Sequence, residues 1–146
     1  MKIAIVYMSV HHGNTEKLIR AAKDCDFYRA DDCQGVDFSQ YDLVGLASGI
    51  YAAQFHQSLN KFVDEHIEEL SKVFLVYTAG FNFKMYGLRQ QKKLLAKGLT
   101  VKGIYFCKGF DTFGPLKLFG GTGKGRPNEK DQEEFVAFLE NLRKST

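Results

Sequence analysis

Ile3-Ala4-Ile5-Val6-Tyr7-Met8, followed without a break by Ser9-Val10-His11-His12-Gly13-Asn14-Thr15, is the stretch around which the rest of the chain can be organised. Six almost continuously apolar residues at strand length imply a strand covered on both faces, the condition of an interior strand in a parallel sheet. The polar, glycine-bearing loop after it leads at once into a helical pattern, Asn14–Lys23, with Leu18, Ile19 and Ala22 on one face. A buried strand, a short loop and a helix form the first half of a βαβ unit.

Downstream the same alternation repeats. Cys25–Arg29 is a weaker strand candidate, and Leu43–Ala47, Val73–Tyr77 and Val101–Phe106 read as buried strands. Helical spacing runs over Phe55–Leu70, through Leu59, Phe62, Val63 and Ile67, and again over Lys84–Lys97. The last helix carries Phe135, Phe138, Leu139 and Leu142 in register, with Pro127 and Asn128 at its start and Asp131 placed as the partner of an Asn128 cap. Residues Asp31–Gln40 are too few for a crossover helix, so the connection between strands two and three is shortened to a loop or single turn. The expected fold is one α/β domain over residues 1–146: a doubly wound, five-stranded parallel sheet with helices on both faces.

Composition narrows the function. The 146 residues are 45% apolar and 25% charged with two prolines, which excludes disordered, collagen-like and low-complexity classes. No apolar run approaches the roughly 18 residues that span a bilayer, and no signal-peptide pattern opens the chain. Three cysteines, Cys25, Cys33 and Cys107, form no CxxC and read as reduced packing thiols. A cytoplasmic protein is expected. The net charge of +3 hides a division: residues 1–73 carry seven basic and eleven acidic side chains, residues 74–146 thirteen and six. Residues 84–126 hold ten basic side chains against the single acid Asp111, so this half is expected to face acidic or phosphate-bearing partners.

The loop after the first strand has the chemistry of a phosphate cradle. Loops at the carboxyl ends of strands form the ligand crevice of an open α/β sheet, where a helix start offers unpaired N–H groups. Ser9, Asn14 and Thr15 add side-chain donors, Gly13 permits close backbone approach, and His11 and His12 supply charge when protonated. There is no Gly-Lys-Ser/Thr of a Walker loop and no GxGxxG of a dinucleotide site. The alternative is a plain βα turn with Asn14 or Thr15 as helix cap.

With these residues in place, the chain resembles the flavodoxin family, whose first loop is Ser/Thr-rich, ends in Gly-Asn-Thr and binds the FMN phosphate; Ser9, Gly13, Asn14 and Thr15 match it. The resemblance covers nearly the whole chain. It implies a flavodoxin-like sheet of order 2-1-3-4-5 with FMN at the crevice where the order reverses. The loop from Ser9 to Gly13 is one residue longer than in typical carriers, with His11 and His12 in place of small hydroxyl residues. In this, and in Ala47-Ser48, Tyr51, His56 and Phe62-Val63, the chain is similar to the flavodoxin-like protoporphyrinogen oxidases.

The resemblance also assigns the ring of FMN to the loops after strands three and four. Ser48, Gly49, Ile50 and Tyr51 follow the third strand, and Thr78, Ala79, Gly80 and Phe81 the fourth. Both offer apolar walls and backbone polar groups for a flat redox ring. Tyr51 is the candidate stacking residue and Thr78–Gly80 the candidate pyrimidine-edge contacts; the alternatives are an aromatic cover for the sheet and, for Phe81 and Phe83, core packing. No tryptophan exists to complete a Trp/Tyr sandwich, and no glycine follows Tyr51. The fifth strand leads into a glycine-rich, basic stretch between Cys107 and Lys130, expected as a flap over the flavin edge through Phe110, Phe113, Leu116, Leu118 and Phe119, with Asp111 and Thr112 either touching the ring's ribityl or pyrimidine side or, for Asp111, capping a turn.

The functional expectation is therefore an FMN-binding redox protein exchanging electrons with a partner. Its alternative is an FMN-dependent oxidoreductase acting on NAD(P)H, a quinone or a porphyrinogen. A third reading is a flavin-free α/β module that binds an acidic partner through its basic half; no nucleic-acid fold is present. Neither a catalytic side chain nor a metal site is expected.

Overall fold

The computed structural model describes residues 1–10, 13–81, 84–109 and 125–145. Among these described residues six strands and four α-helices follow in the order β1 (Ile3–Met8), α1 (Asn14–Ile19), β2 (Asp26–Arg29), β3 (Leu43–Tyr51), β4 (Gln54–Phe55), α2 (Gln57–Glu65), β5 (Lys72–Ala79), α3 (Lys84–Ala96), β6 (Thr100–Lys108) and α4 (Glu129–Ser145). A single 3-10 turn, Phe38–Gln40, lies in the shortened connection between β2 and β3. Five strands are parallel in the order β2-β1-β3-β5-β6, and β4 adds to β3 antiparallel. The expected five-stranded parallel order is thus present, with one short strand more.

Alternation along the central strands divides the core into two layers. Ala4, Val6, Val44, Leu46, Val73, Leu75 and Tyr77 face the side covered by α2, α3 and the Phe38 turn. Ile3, Ile5, Tyr7, Leu43, Ala47, Phe74 and Val76 face α1 and α4, through Leu18, Ile19, Phe135, Leu139 and Leu142. Gly45 lies beside Phe74 in register, and a Cβ there would stand 2.3 Å from the phenyl ring. The absent side chain is what lets that ring lie against β3.

Three helix boundaries differ from the sequence expectation. α1 ends at Ile19, and its remainder tightens into turns bonding Ala21 N to Leu18 O and Ala22 N to Ile19 O. α2 begins at Gln57 because Phe55 pairs with Ile50 across a hairpin, and it stops at Glu65, with Ile67 and Leu70 packing from a following turn. Gly13, in the left-handed conformation at φ 62°, caps α1 in place of Asn14 or Thr15. By contrast, the α4 start forms the expected reciprocal cap: Asn128 N donates to Asp131 Oδ2 at 2.8 Å, and Asp131 N donates to Asn128 Oδ1 at 3.0 Å. Asp131 is buried, and Arg126 grips its carboxylate with two bonds of 2.5 and 2.6 Å.

Candidate functional site

The carboxyl ends of β1, β3 and β5 bring three loops together, and hydrogen bonds lace them. Thr15, in the first turn of α1, and Thr78, near the end of β5, join hydroxyls at 2.9 Å; they are 1% and 3% exposed. The Val10 amide donates to Tyr51 Oη at 3.0 Å, tying the first loop to the end of β3. Gly109 N donates to Ala79 O at 3.0 Å, holding the end of β6 against β5. Within the first loop, Glu16 N donates to Ser9 Oγ at 3.4 Å, which points that hydroxyl at the start of the helix.

The pairing of Tyr51 with Gln54 and Ile50 with Phe55 closes a two-residue hairpin over Ala52-Ala53, with φ of 50° and 65°. Both turn residues are left-handed, the geometry of a type I′ turn that ordinarily calls for Asn-Gly. Each alanine there costs roughly 1–2 kcal/mol relative to the right-handed conformation. Ser48 is buried at the root of this hairpin: its hydroxyl donates to Gly49 O at 2.5 Å and accepts from His56 N at 2.9 Å. His56 caps α2 by accepting from Ser58 N, and its ring meets Tyr51 edge-on at 5.3 Å.

The sequence-selected residues divide clearly. Ser9, Gly13, Asn14 and Thr15 sit at the first loop and helix start; Gly49, Ile50 and Tyr51 end β3; Thr78, Ala79, Gly80 and Phe81 end β5 and enter its loop. Phe81 is 52% exposed, so it is no core residue. Tyr51 folds back over Gly49, where a Cβ would approach its hydroxyl to 2.8 Å. Ser48 turns its hydroxyl into the hairpin root, while Gly49 pairs with Thr78 of β5 and Ile50 with Phe55 of β4. His11, His12, Asn82, Phe83 and residues 110–124, with the expected flap, lie outside the described residues. Sequence reasoning missed the Val10 amide, the Thr15–Thr78 pair and the strained Ala52-Ala53 turn. Among the described residues no cluster of three or more His, Cys, Asp or Glu could hold a metal, and no helix is long and apolar enough to cross a membrane. Cys107 is buried, and burial pushes its thiol up to about 12, which favours the protonated form.

The family model of the flavodoxin domain matches residues 4–100. The chain belongs to the flavodoxin family. A protein of Methanocaldococcus jannaschii named "Uncharacterized protein MJ0298" is 39% identical over 150 residues, covering 99% of this chain and 100% of that one. Among solved structures, a flavodoxin from the domain Archaea superposes with a TM-score of 0.68 at 17% identity, over 98% of this chain and 99% of that one. A Lactobacillus acidophilus flavoprotein in complex with FMN superposes with a TM-score of 0.56 at 19% identity, over 72% of this chain and 92% of that one. At such identities these superpositions speak to the fold.

Membership of the flavodoxin family implies FMN, and the residues of this flavodoxin-like crevice fit it. Two hydroxyls, Thr15 and Thr78, share a single hydrogen bond, so one of their two protons has no acceptor among the described residues although both side chains are buried. A phosphate or carbonyl oxygen at the crevice would take it. Among the described residues no atom stands within 4 Å of where a Gly13 Cβ would lie, which leaves room for a group laid against its backbone.

Proposed function

We propose that this chain binds FMN noncovalently at the carboxyl ends of β1, β3 and β5 and passes electrons to or from a redox partner. The observation that carries this reading is the buried Thr15–Thr78 pair with its surplus donor, placed where the first loop and the ring loops meet. Bound FMN supplies reversible uptake of one or two electrons, a chemistry no side chain of this protein offers.

The protein's part is placement. Ser9, His11, His12, Gly13, Asn14 and Thr15 hold the phosphate, by side-chain and backbone donors together. Gly49, Ile50 and Tyr51 wall one side of the ring, with Ser48 bracing them from beneath. Thr78, Ala79, Gly80 and Phe81 face its polar edge from β5. Basic α3 (Lys84, Arg89, Lys92 and Lys93) and Lys108 at the end of β6 give the site a positive flank. Positive charge favours the more negative, reduced state of a bound group and attracts partners that present acidic or phosphate groups. The reading takes residues 1–146 as a single cytoplasmic domain; its three cysteines are free thiols, the state a reducing compartment maintains.

A redox titration of the FMN-loaded protein tests the reading. Both reduction steps are expected to be displaced from those of free FMN; a titration that superimposes on free FMN would overturn it.

A further inference from the structure

Between the β3–β4 hairpin and α3 lies a groove of about 370 Å³, lined by Ala53 and Gln54 on one side and by Tyr86, Arg89, Lys92 and Lys93 on the other. Its hairpin wall is the strand paired with Tyr51, so it flanks the proposed ring site. Its helix wall is held in place: Tyr86 packs edge-on against buried Tyr77 at 6.2 Å, and Gln90 bonds Asn60 of α2 at 2.9 Å.

The charge of this groove is unbalanced. Residues Lys84–Ala96 contain no acid, and Arg89, Lys92 and Lys93 have no acidic partner among the described residues. In neighbouring α2 and its following turn, Asp64 pairs with Lys97, Glu65 with Lys61, and Glu69 with His66, while Glu68 has no cationic partner among the described residues and lies on the turn rather than on α3. Spacing i, i+3, i+4 sets the three cations on adjoining positions of one helix turn, where they can converge on one multi-oxygen anion. The volume is that of a small-molecule site, whereas a protein partner ordinarily covers roughly 800 Å² of each surface. A quinone, being neutral, would leave the cations unused.

We propose that this groove seats the phosphate groups of a nicotinamide nucleotide, the redox partner of the adjacent site. This rests on the FMN reading for its purpose, while the groove itself is built without the cofactor.

The test is a calorimetric titration with NADP+, which binds without delivering electrons, run on the protein with and without FMN. Saturable binding is expected, with competition from 2′,5′-ADP. It should weaken about tenfold or more in the Arg89→Gln/Lys93→Gln variant, as befits the loss of two charge-assisted contacts. The variant should still saturate with FMN at one to one, read from flavin fluorescence, which shows that its crevice is folded. No saturation with NADP+, or equal binding by the variant, would overturn the proposal. So would saturable binding of poly-glutamate with none of NADP+, which would point to an acidic protein partner. A native protein that takes up no FMN counts against the cofactor reading, and its NADP+ titration still reports on the groove.

Discussion

A hydroxyl pair at the meeting point of three loops, Thr15 with Thr78, makes the site sensitive to a single atom. Replacing Thr15 by Val keeps the shape but removes one hydroxyl, leaving Thr78 buried without its partner and the proposed ligand without the Thr15 hydroxyl. Fluorescence titration should show FMN affinity reduced about tenfold or more, with Thr15→Ser restoring it; equal affinity in Thr15→Val would remove this pair from the site. Thr15 was legible in the sequence as a donor at a loop end, because Gly-Asn-Thr carries that chemistry locally. Its tie to Thr78, 63 residues away, was not legible, since only the register of β5 against β3 brings the two together. The Ala52-Ala53 turn was illegible for a different reason: alanine signals helix, and the left-handed geometry is imposed by the pairing of β3 with β4. Ala53→Gly should therefore raise stability by up to about 1 kcal/mol, roughly 2–4 °C in thermal midpoint. A fall in midpoint would show that the turn carries no strain.

At the level of elements, local signals were readable and tertiary ones were not. The Asn128–Asp131 cap is a three-residue relation, and it stands as the spacing predicts. The ends of α1 and α2 depended on contacts that no local window contains, such as the capture of Phe55 by Ile50 in the hairpin. Asp131 links the cap to stability. Burial alone would raise its carboxyl, but the Arg126 guanidinium and the Asn128 amide outweigh it and hold the group below its ordinary 3.8. A depressed carboxylate contributes stability that is present above the unfolded value and is lost as pH falls through the folded one. Asp131→Asn should therefore cost about 1–3 kcal/mol at neutral pH. Unfolding midpoints of the variant and the native protein should converge as pH falls below 3.8. A gap that stays constant with pH would mean that the ion pair contributes nothing.

Over the whole molecule, the division of charge takes on a spatial meaning. The acidic first half contributes the loop after β1, the proposed phosphate site, and α2, and the basic second half contributes α3 and the end of β6, so the positive charge flanks the proposed ring loops. A parallel sheet with two-sided helix cover followed from alternating buried strands and helices, a pattern the hydrophobic effect writes plainly, whereas the strand order came from the family resemblance. The groove beside α3 did not, because it exists only where the hairpin folds back towards that helix. The central claim is that the crevice at the carboxyl ends of β1, β3 and β5 holds FMN, and titrating FMN with the protein while following flavin fluorescence tests it most directly. One-to-one saturation with altered flavin fluorescence is the predicted result; emission that stays that of free FMN at stoichiometric protein would contradict the account.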